Sequence, residues 1–299
     1  MTKKATYTDT LQRFIFEHAP VRGEYIHLEE SFQAIINQHS YPEPIRKLLG
    51  EALCVAGLLC AIIKFNGRLT VQFRGKGNLK LLLAQCDNHF HLRGLAKWEG
   101  DMSYTDLMES FNQGVLVIML DSGPANRYQG IVSWRGNSLA ESIEGYFKES
   151  EQLDTKIWLN VNDTSASGYL LQVVPASSKG IEEEIIHPHW ERITRMTKNI
   201  QANALLEYDY QSLLNHLYPD EEIRIFPAVD VQFKCTCSRK RGENAIAILG
   251  REEAEAELKE KQSIVVTCDF CNHEYVFDRI DVMKIFENKD HPPSETQLH

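Results

Sequence analysis

The sequence lacks an apolar segment long enough to cross a membrane. Its longest apolar run, residues 52–63, is shorter than the roughly 20 residues that a bilayer-spanning helix needs, and we expect it to form a buried helix. The first nine residues, MTKKATYTD, contain none of the apolar stretch that marks a signal peptide. We therefore expect a cytoplasmic protein without a membrane partner.

Cysteine is scarce as well. Seven cysteines in 299 residues is far below the density of a disulfide-stabilised secreted domain, and the odd number argues against a complete disulfide framework. Because the cytosol keeps thiols reduced, clustered cysteines in such a chain are expected to bind zinc.

Excess positive charge and known catalytic motifs are also missing. Lys and Arg number 32 against 42 Asp and Glu, which gives a formal net charge of −10. This charge disfavours nucleic acid as a partner, because nucleic-acid affinity rests on neutralising phosphates. We find no nucleophile elbow, phosphate-binding loop or zinc-hydrolase motif, and no spacing of acidic residues singles out an acid–base pair. The chain is therefore not expected to be an enzyme.

The composition that remains is that of a globular protein, with 43% hydrophobic and 25% charged residues, enough to bury a core. The patterns along the chain predict an α+β protein in four parts. These parts are a mixed α/β N-terminal domain at 1–177, a metastable helical linker at 178–230, a small zinc-binding module at 231–287 and a disordered tail at 288–299.

Hydrophobic periodicity predicts the elements of the N-terminal domain. A broad apolar face predicts a helix from Pro44 to about Lys64, and a second helix is expected at about Leu139–Lys148. Glycine-containing segments at 75–78 and 122–124 indicate hairpin connections. Strands are predicted at 22–28, 69–74, 79–85, 90–96, 115–120, 128–134, 157–161 and 169–175.

The linker is predicted to be helical but thin in apolar surface. Ile186, Trp190 and Ile193 fall at helical spacing and form one narrow stripe, and a leucine stripe precedes Pro219. Such helices are stable only when docked on a larger core, so we expect these three residues to dock on the N-terminal domain. An ordinary helical connector is the alternative interpretation.

The most informative pattern is a set of two close cysteine pairs in the last quarter of the chain. Four thiolates can converge on one tetrahedral zinc ion at about 2.3 Å. The first pair has a single intervening residue, which crowds its sulfurs and leaves them close enough to react with each other. The pattern therefore indicates a metal site when reduced and two short-range disulfides when oxidised, and a redox switch is our first hypothesis. The four residues, called the cysteine cluster below, are Cys235, Cys237, Cys268 and Cys271.

The module around these cysteines has few apolar residues. It is predicted to contain a helix at 243–249, ended by Gly250, and strands at 264–267 and 275–277. Below about 70 residues such a core rarely suffices without a staple, and zinc would supply on the order of 10 kcal/mol of folding free energy. Oxidation of the ligands would then both release the zinc and unfold the module. The basic residues 239–241 either offset the thiolate charge or lie in a solvated loop.

Two other functions fit the cysteine pairs less well. A nucleic-acid-binding zinc ribbon needs positive charge, whereas residues 235–287 carry eight Lys or Arg against eleven Asp or Glu, a net of −3. A catalytic Cys268–Cys271 dithiol is expected at a helix N-terminus, but this pair lies between strand-like segments. Cys54, Cys60 and Cys86 are predicted to be buried or inert thiols.

The chain resembles the heat-shock protein 33 family over nearly its whole length. The strongest part is Cys235-Thr236-Cys237-Ser238-Arg239 together with Cys268-Asp269-Phe270-Cys271, followed by Tyr275 and Phe277. Segments 21–24, 64–67, 127–130 and 150–153 also look like segments of the family. Asn272 stands where the family has glycine, and asparagine is the next-best residue for a left-handed backbone conformation.

The resemblance implies a redox-regulated holdase chaperone that protects unfolding proteins from aggregation under oxidative stress without ATP. The reduced form would be a largely inactive monomer with one Zn²⁺ per chain in the cysteine cluster. Oxidation would form the disulfides Cys235–Cys237 and Cys268–Cys271, release the zinc and unfold the linker. Unfolded client proteins would then bind the exposed surface, and the oxidised protein would be a homodimer.

Overall fold

The computed structural model describes residues 9–123, 126–136, 138–174, 183–198, 200 and 203–290, without the side chains of 183–186 and 288–290. The chain divides into two compact units, Met1–Lys234 and Cys235–His299. Helices and strands occur in both units, which confirms the predicted α+β class. The predicted boundary at residue 177 lies outside the described residues and stays a prediction.

The strands and helices alternate irregularly along the chain. The strands are β1 (Thr10–Phe16), β2 (Val21–Leu28), β3 (Arg68–Gly75), β4 (Leu79–Asp87), β5 (His91–Trp98), β6 (Gly114–Asp121), β7 (Arg127–Val132), β8 (Thr155–Val161), β9 (Ala166–Val173), β10 (Ile223–Ile225), β11 (Val229–Asp230), β12 (Gln232–Phe233), β13 (Ile264–Thr267) and β14 (Glu274–Phe277). The helices are α1 (Glu30–Ile36), α2 (Glu43–Ile62), α3 (Tyr104–Asn112), α4 (Leu139–Tyr146), α5 (Glu183–Thr197), α6 (Ala204–Glu207), α7 (Tyr210–Leu217), α8 (Arg239–Leu249), α9 (Arg251–Lys261) and α10 (Arg279–Asp290), and a π-helical turn spans Phe147–Glu151.

Two six-stranded sheets with α2 between them form the core of the first unit. The first sheet has the order β10-β1-β2-β9-β8, with β11 also paired to β1. The second sheet has the order β12-β5-β4-β3-β6-β7. Helix α2 contacts strands of both sheets, so its side chains fill the space between them.

Helix α2 is the long apolar helix that the sequence predicted. Pro44 lies in its first turn, where the missing N–H leaves no intrahelical hydrogen bond unmade. Leu49, Leu53 and Leu59 are fully buried, and the sheets on both sides explain why the apolar face is so broad. A Cβ atom at residue 57 would lie 2.4 Å from Ile26 Cδ1, so glycine permits the close approach of α2 to β2. None of the helices in the described ranges combines the length and apolarity that crossing a bilayer requires.

The strands predicted for the N-terminal domain are confirmed within a few residues of their expected limits. The turn at 75–78 joins β3 to β4 as predicted. The sequence patterns did not predict β1, α1 or α3. The sequence of β1 does not alternate between apolar and polar residues, because both faces of the strand are buried. Leu11 lies on the α2 side and Phe14 on the other.

The described residues from 183 to 230 pack onto the first sheet within the first unit. Side chains of α5, α6 and α7 cover the sheet face opposite α2, where Ile193 and Leu213 join Phe14 and Tyr169 in one buried cluster. Strands β10 and β11 both pair with the edge of β1. The predicted linker is therefore docked through helices and strands alike.

The second unit surrounds one antiparallel hairpin, β13–β14. Gly250, with φ +104°, ends α8 as predicted. Helices α9 and α10 were not predicted. Helix α10 extends to Asp290, three residues into the predicted tail, and residues 291–299 lie outside the described part. The buried apolar side chains of the described unit are Ile246, Ala254, Ile264, Phe277, Val282 and Phe286.

Candidate metal centre

The second cysteine pair lies in the tight turn between β13 and β14. The backbone N–H of Cys268 donates to His273 O at 3.0 Å. The N–H groups of Cys271 and Asn272 both donate to Cys268 O, at 3.3 and 2.8 Å. Asn272 has φ +51°, the left-handed conformation expected of the residue that stands in for glycine. These bonds fix the backbone on which both sulfurs are carried.

The first pair lies at the start of α8. The Ser238 side chain caps the helix by accepting the backbone N–H of Arg241 at 3.3 Å. The Arg241 guanidinium in turn donates to Thr236 Oγ1 at 3.0 Å. The residue between Cys235 and Cys237 is thereby tied to the first turn of the helix.

The two pairs meet, and all four sulfurs of the cysteine cluster lie within 4.8 Å of one another. Cys235 Sγ is 3.6 Å from Cys268 Sγ, and Cys237 Sγ is 3.5 Å from Cys271 Sγ. A tetrahedral site with metal–sulfur distances of about 2.3 Å has sulfur–sulfur edges of about 3.8 Å. The sulfurs can therefore hold one metal ion, and a four-thiolate donor set suits zinc. Within the described ranges no other group of three or more His, Cys, Asp or Glu residues converges in this way.

Tyr275 contacts this site through a hydrogen bond that sequence patterns did not identify. Its hydroxyl donates to Cys237 Sγ at 3.3 Å, and this bond lowers the pKa of Cys237 below its ordinary value. The His273 ring packs edge-on against the Tyr275 ring, with centroids 4.6 Å apart. Alternate residues of a strand share a face. The two-residue spacing between Tyr275 and the buried Phe277 was therefore the sequence signal that Tyr275 lies on the inner face of β14.

Cys235 and Cys271 differ from Cys237 in the direction of their pKa shifts. Burial raises the pKa of Cys235 and that of Cys271. Of these three sulfurs, Cys237 is the one whose thiolate form is favoured, through the Tyr275 hydrogen bond.

The basic residues after the first pair have partners other than sulfur. Arg239 pairs with Asp281 at 2.7 Å, donates to Val276 O at 3.0 Å and lies over the Phe277 ring. Lys240 pairs with Glu243 at 2.9 Å. They form the first turn of α8 rather than a loop, and Arg239 links this helix to β14 and α10.

The linker residues predicted to dock are placed as follows. Ile193 is fully buried, and Trp190 is half-buried against the same cluster on the first sheet. The side chain of Ile186 lies outside the described residues. Buried hydrogen bonds accompany this packing, from Tyr25 Oη to Leu205 O at 2.9 Å and from Tyr169 Oη to Tyr218 Oη at 3.0 Å.

The three remaining cysteines are buried, as predicted, and all belong to the first unit. The Cys268–Cys271 pair follows a strand and precedes another, which disfavours the catalytic dithiol because such pairs lie at helix N-termini.

Comparisons with known proteins agree with this fold. The model of the family described as Hsp33 protein matches residues 9–278. The chain is 40% identical over 291 residues to the 33 kDa chaperonin of Nitrosococcus oceani, covering 97% of this chain and 99% of that protein. It is 39% identical over 296 residues to the 33 kDa chaperonin of Pseudomonas aeruginosa, covering 98% and 99%. The crystal structure of the 33 kDa chaperonin, a heat shock protein 33 homologue, from Thermotoga maritima has a TM-score of 0.79 at 24% identity and covers 94% of this chain and 99% of that one, which shows the same fold.

Fold and site together define a class of α+β protein in which a small four-cysteine unit follows a two-sheet unit. The chain belongs to the Hsp33 protein family, as the sequence resemblance predicted. Its relatives carry the name of a chaperonin rather than of an enzyme, which supports the prediction that the chain is not an enzyme.

Proposed function

We propose that this protein is an ATP-independent holdase chaperone that the cysteine cluster activates under oxidative stress. The observation that carries the proposal is the convergence of four sulfurs within 4.8 Å in a unit with a small apolar core. Membership of a family whose relatives are named chaperonins supports the chaperone function. The clients are unfolded proteins in the cytoplasm, with neither nucleic acid nor membrane as a partner.

In the reduced protein the cysteine cluster would hold one Zn²⁺ per chain. When bound, the ion contributes folding free energy to a unit whose own core is too small to suffice. The chain supplies the positioning. The β13–β14 turn orients Cys268 and Cys271, the start of α8 orients the first pair, and the Tyr275 hydroxyl supports the Cys237 sulfur.

Oxidation by hydrogen peroxide removes these ligands. One thiol of a pair takes an oxygen atom from the peroxide to become a sulfenic acid, and one water is released. The second thiol attacks that sulfur, the S–S bond forms, and the hydroxyl and the remaining proton leave as a second water. A disulfide is not a zinc ligand. When both pairs are oxidised in this way, the second unit loses the zinc ion that stabilises its fold.

The proposed pairs are Cys235–Cys237 and Cys268–Cys271, the pairing that the family resemblance implies. The sulfur contacts at 3.6 and 3.5 Å join the opposite pairs, Cys235 to Cys268 and Cys237 to Cys271. Peptide mapping of the oxidised protein distinguishes the proposed pairing from the pairing of the sulfurs in contact. Linked peptides that join residue 235 or 237 to residue 268 or 271 would overturn the proposed pairing.

Client binding would follow from release of the linker helices. β12, which pairs with β5, is followed by Lys234 and then Cys235, so unfolding of the second unit would leave the docked segment without a folded unit after it. Undocking of α5–α7 would uncover the sheet face they cover, including the buried aromatic rings of Phe14, Phe16, Tyr25 and Tyr169. An apolar surface of this kind binds unfolded chains. A second copy of the oxidised protein would bind the same surface, which gives a homodimer after oxidation and a monomer before.

Cys268→Ser tests the proposal. We expect the variant to hold less than one zinc per chain in reductant, to have a partly unfolded second unit, and to suppress aggregation of a heat-unfolded client enzyme without oxidant. Cys54→Ala, a buried cysteine of the first unit, is the matched control and should keep both zinc and redox dependence. A Cys268→Ser protein with full zinc and no activity in reductant would refute the switch.

A further inference from the structure

Two cysteines of the first unit lie together, far along the chain from the cysteine cluster. Cys60 is in the last turn of α2, and Cys86 is next to the end of β4. Both sulfurs contact one carbonyl oxygen, that of Asp87, with Cys60 Sγ at 3.0 Å and Cys86 Sγ at 3.5 Å. Two thiols that share one oxygen at these distances are near neighbours.

Their chemical environments reflect this contact. A hydrogen bond with the Cys60 thiol, together with burial, raises the pKa of Cys86 well above its ordinary value. Cys60 retains 7% of its surface in contact with solvent, whereas Cys86 has none. Cys60 is therefore the residue of the pair that is more accessible to a small oxidant.

Cys54 provides a contrast within the same helix. It is fully buried, and it faces the other sheet, since a Cβ added at Gly168 of β9 would lie 3.0 Å from Cys54 Cβ. Burial and the nearby Glu51 raise the pKa of Cys54, with no thiol among the causes. Burial alone does not bring two cysteines of this unit together. Cys60 and Cys86 are neighbours because the end of α2 lies against the end of β4.

We propose that Cys60 and Cys86 are a second oxidisable pair, which closes a disulfide between the end of α2 and β4. Hydrogen peroxide transfers an oxygen atom to the Cys60 sulfur, giving a sulfenic acid and one water. The Cys86 sulfur then attacks the Cys60 sulfur, the S–S bond forms, and the hydroxyl leaves with the Cys86 proton as a second water. The two sulfurs lose two electrons in total, and the peroxide gains them.

The location gives this bond a consequence for the first unit. Helix α2 contacts both sheets, and β4 is a central strand of the second sheet. A disulfide between α2 and β4 would cross-link the core of the first unit, while α5–α7 could still leave the first sheet. Because both thiols are buried, the pair should oxidise more slowly than the cysteine cluster, which is half-buried.

The test is a time course on the wild-type full chain. The reduced protein is treated with hydrogen peroxide, its free thiols are blocked in denaturant at intervals, and the digest is analysed for linked peptides. We expect a Cys60–Cys86 linkage that appears after the cluster disulfides, with Cys54 recovered as a blocked free thiol. Cys60→Ser should abolish the linkage and leave Cys86 as a free thiol.

Two results would overturn the inference. Recovery of Cys60 and Cys86 as free thiols after the cluster is fully oxidised would show that they only pack as small apolar groups. Linkage of either residue to Cys54 would show that the first unit had unfolded before it was oxidised. The inference is independent of the proposed switch, because the same digest reports the cluster separately.

Discussion

At the scale of single residues, the Tyr275 hydroxyl distinguishes one sulfur of the cluster from the others. Tyr275→Phe removes this hydrogen bond and keeps the ring against His273. Groups that support a metal ligand typically contribute 10- to 100-fold to affinity, so we expect zinc affinity to fall by about 10-fold or more. Competition with a chromogenic chelator measures the change.

Tyr104→Phe is the control for this experiment, since Tyr104 is an exposed tyrosine of the first unit. It should leave zinc affinity unchanged. Equal affinities for Tyr275→Phe and the wild type would mean that the bond does not support the ligand.

A buried carboxyl group gives the first unit a pH dependence. Glu24 is 3% exposed, its Oε2 atom has no hydrogen-bond partner among the described residues, and burial raises its pKa from 4.5 to about 8, against the opposing effect of Arg22 and Arg13. The folded state therefore binds the proton more tightly than the unfolded state. This contribution to stability is complete below pH 4.5 and is lost as the pH rises through about 8.

Glu24→Gln is accordingly expected to stabilise the first unit at pH 8 by about 2 kcal/mol or more and to flatten the change in stability from pH 5 to 8. Urea denaturation at several pH values measures both effects. Glu30→Gln, at an exposed position on α1, is the control. A Glu24→Gln protein with the wild-type pH profile would show that Glu24 is ionised in the folded state.

At the scale of helices and strands, α5 is held on the first sheet by few side chains. Ile193→Ala removes a fully buried side chain from this interface, and such truncations cost about 2–5 kcal/mol. We expect faster proteolysis within residues 183–230 in the reduced protein. Arg195→Ala, an exposed change on the same helix, should leave cleavage as in the wild type, and an equal rate for Ile193→Ala would show that this face is not the docking face.

The elements that could be predicted are those with one dominant local signal. The apolar length of α2, the β13–β14 strands and the left-handed Asn272 all follow from residues close together in sequence. The start of α3 also has a local signal in the sequence, the capping box of Ser103 and Asp106. Helix α9 was hidden because its face is almost entirely charged.

The site was only partly predictable for a different reason. Cysteine spacing specifies a set of ligands, whereas the Tyr275 hydrogen bond and the pairing of Cys60 with Cys86 depend on how separate elements meet. The docking of the linker was expected, but its position on the sheet face opposite α2 depends on burial of both faces of β1. No local pattern contains that information.

At the scale of the whole molecule, the two units should respond differently to loss of metal. We expect a chelator added to the reduced protein to unfold the second unit and leave the core of the first, because only the second has a core too small to fold without a staple. Hydrogen exchange after chelation should show fast exchange at β13 and β14 and slow exchange at β3 and β4. Equal protection of β13 and β14 before and after chelation would mean that the second unit folds without metal.

The most direct test of the account follows zinc release and client protection in one sample. Reduced protein is treated with hydrogen peroxide and then with reductant, while a chromogenic chelator reports zinc and light scattering reports aggregation of a heat-unfolded enzyme. The account predicts that one zinc per chain leaves as aggregation is suppressed, and that reductant with added zinc reverses both changes. Zinc that stays bound while activity appears, or zinc that leaves without any gain of activity, would contradict it.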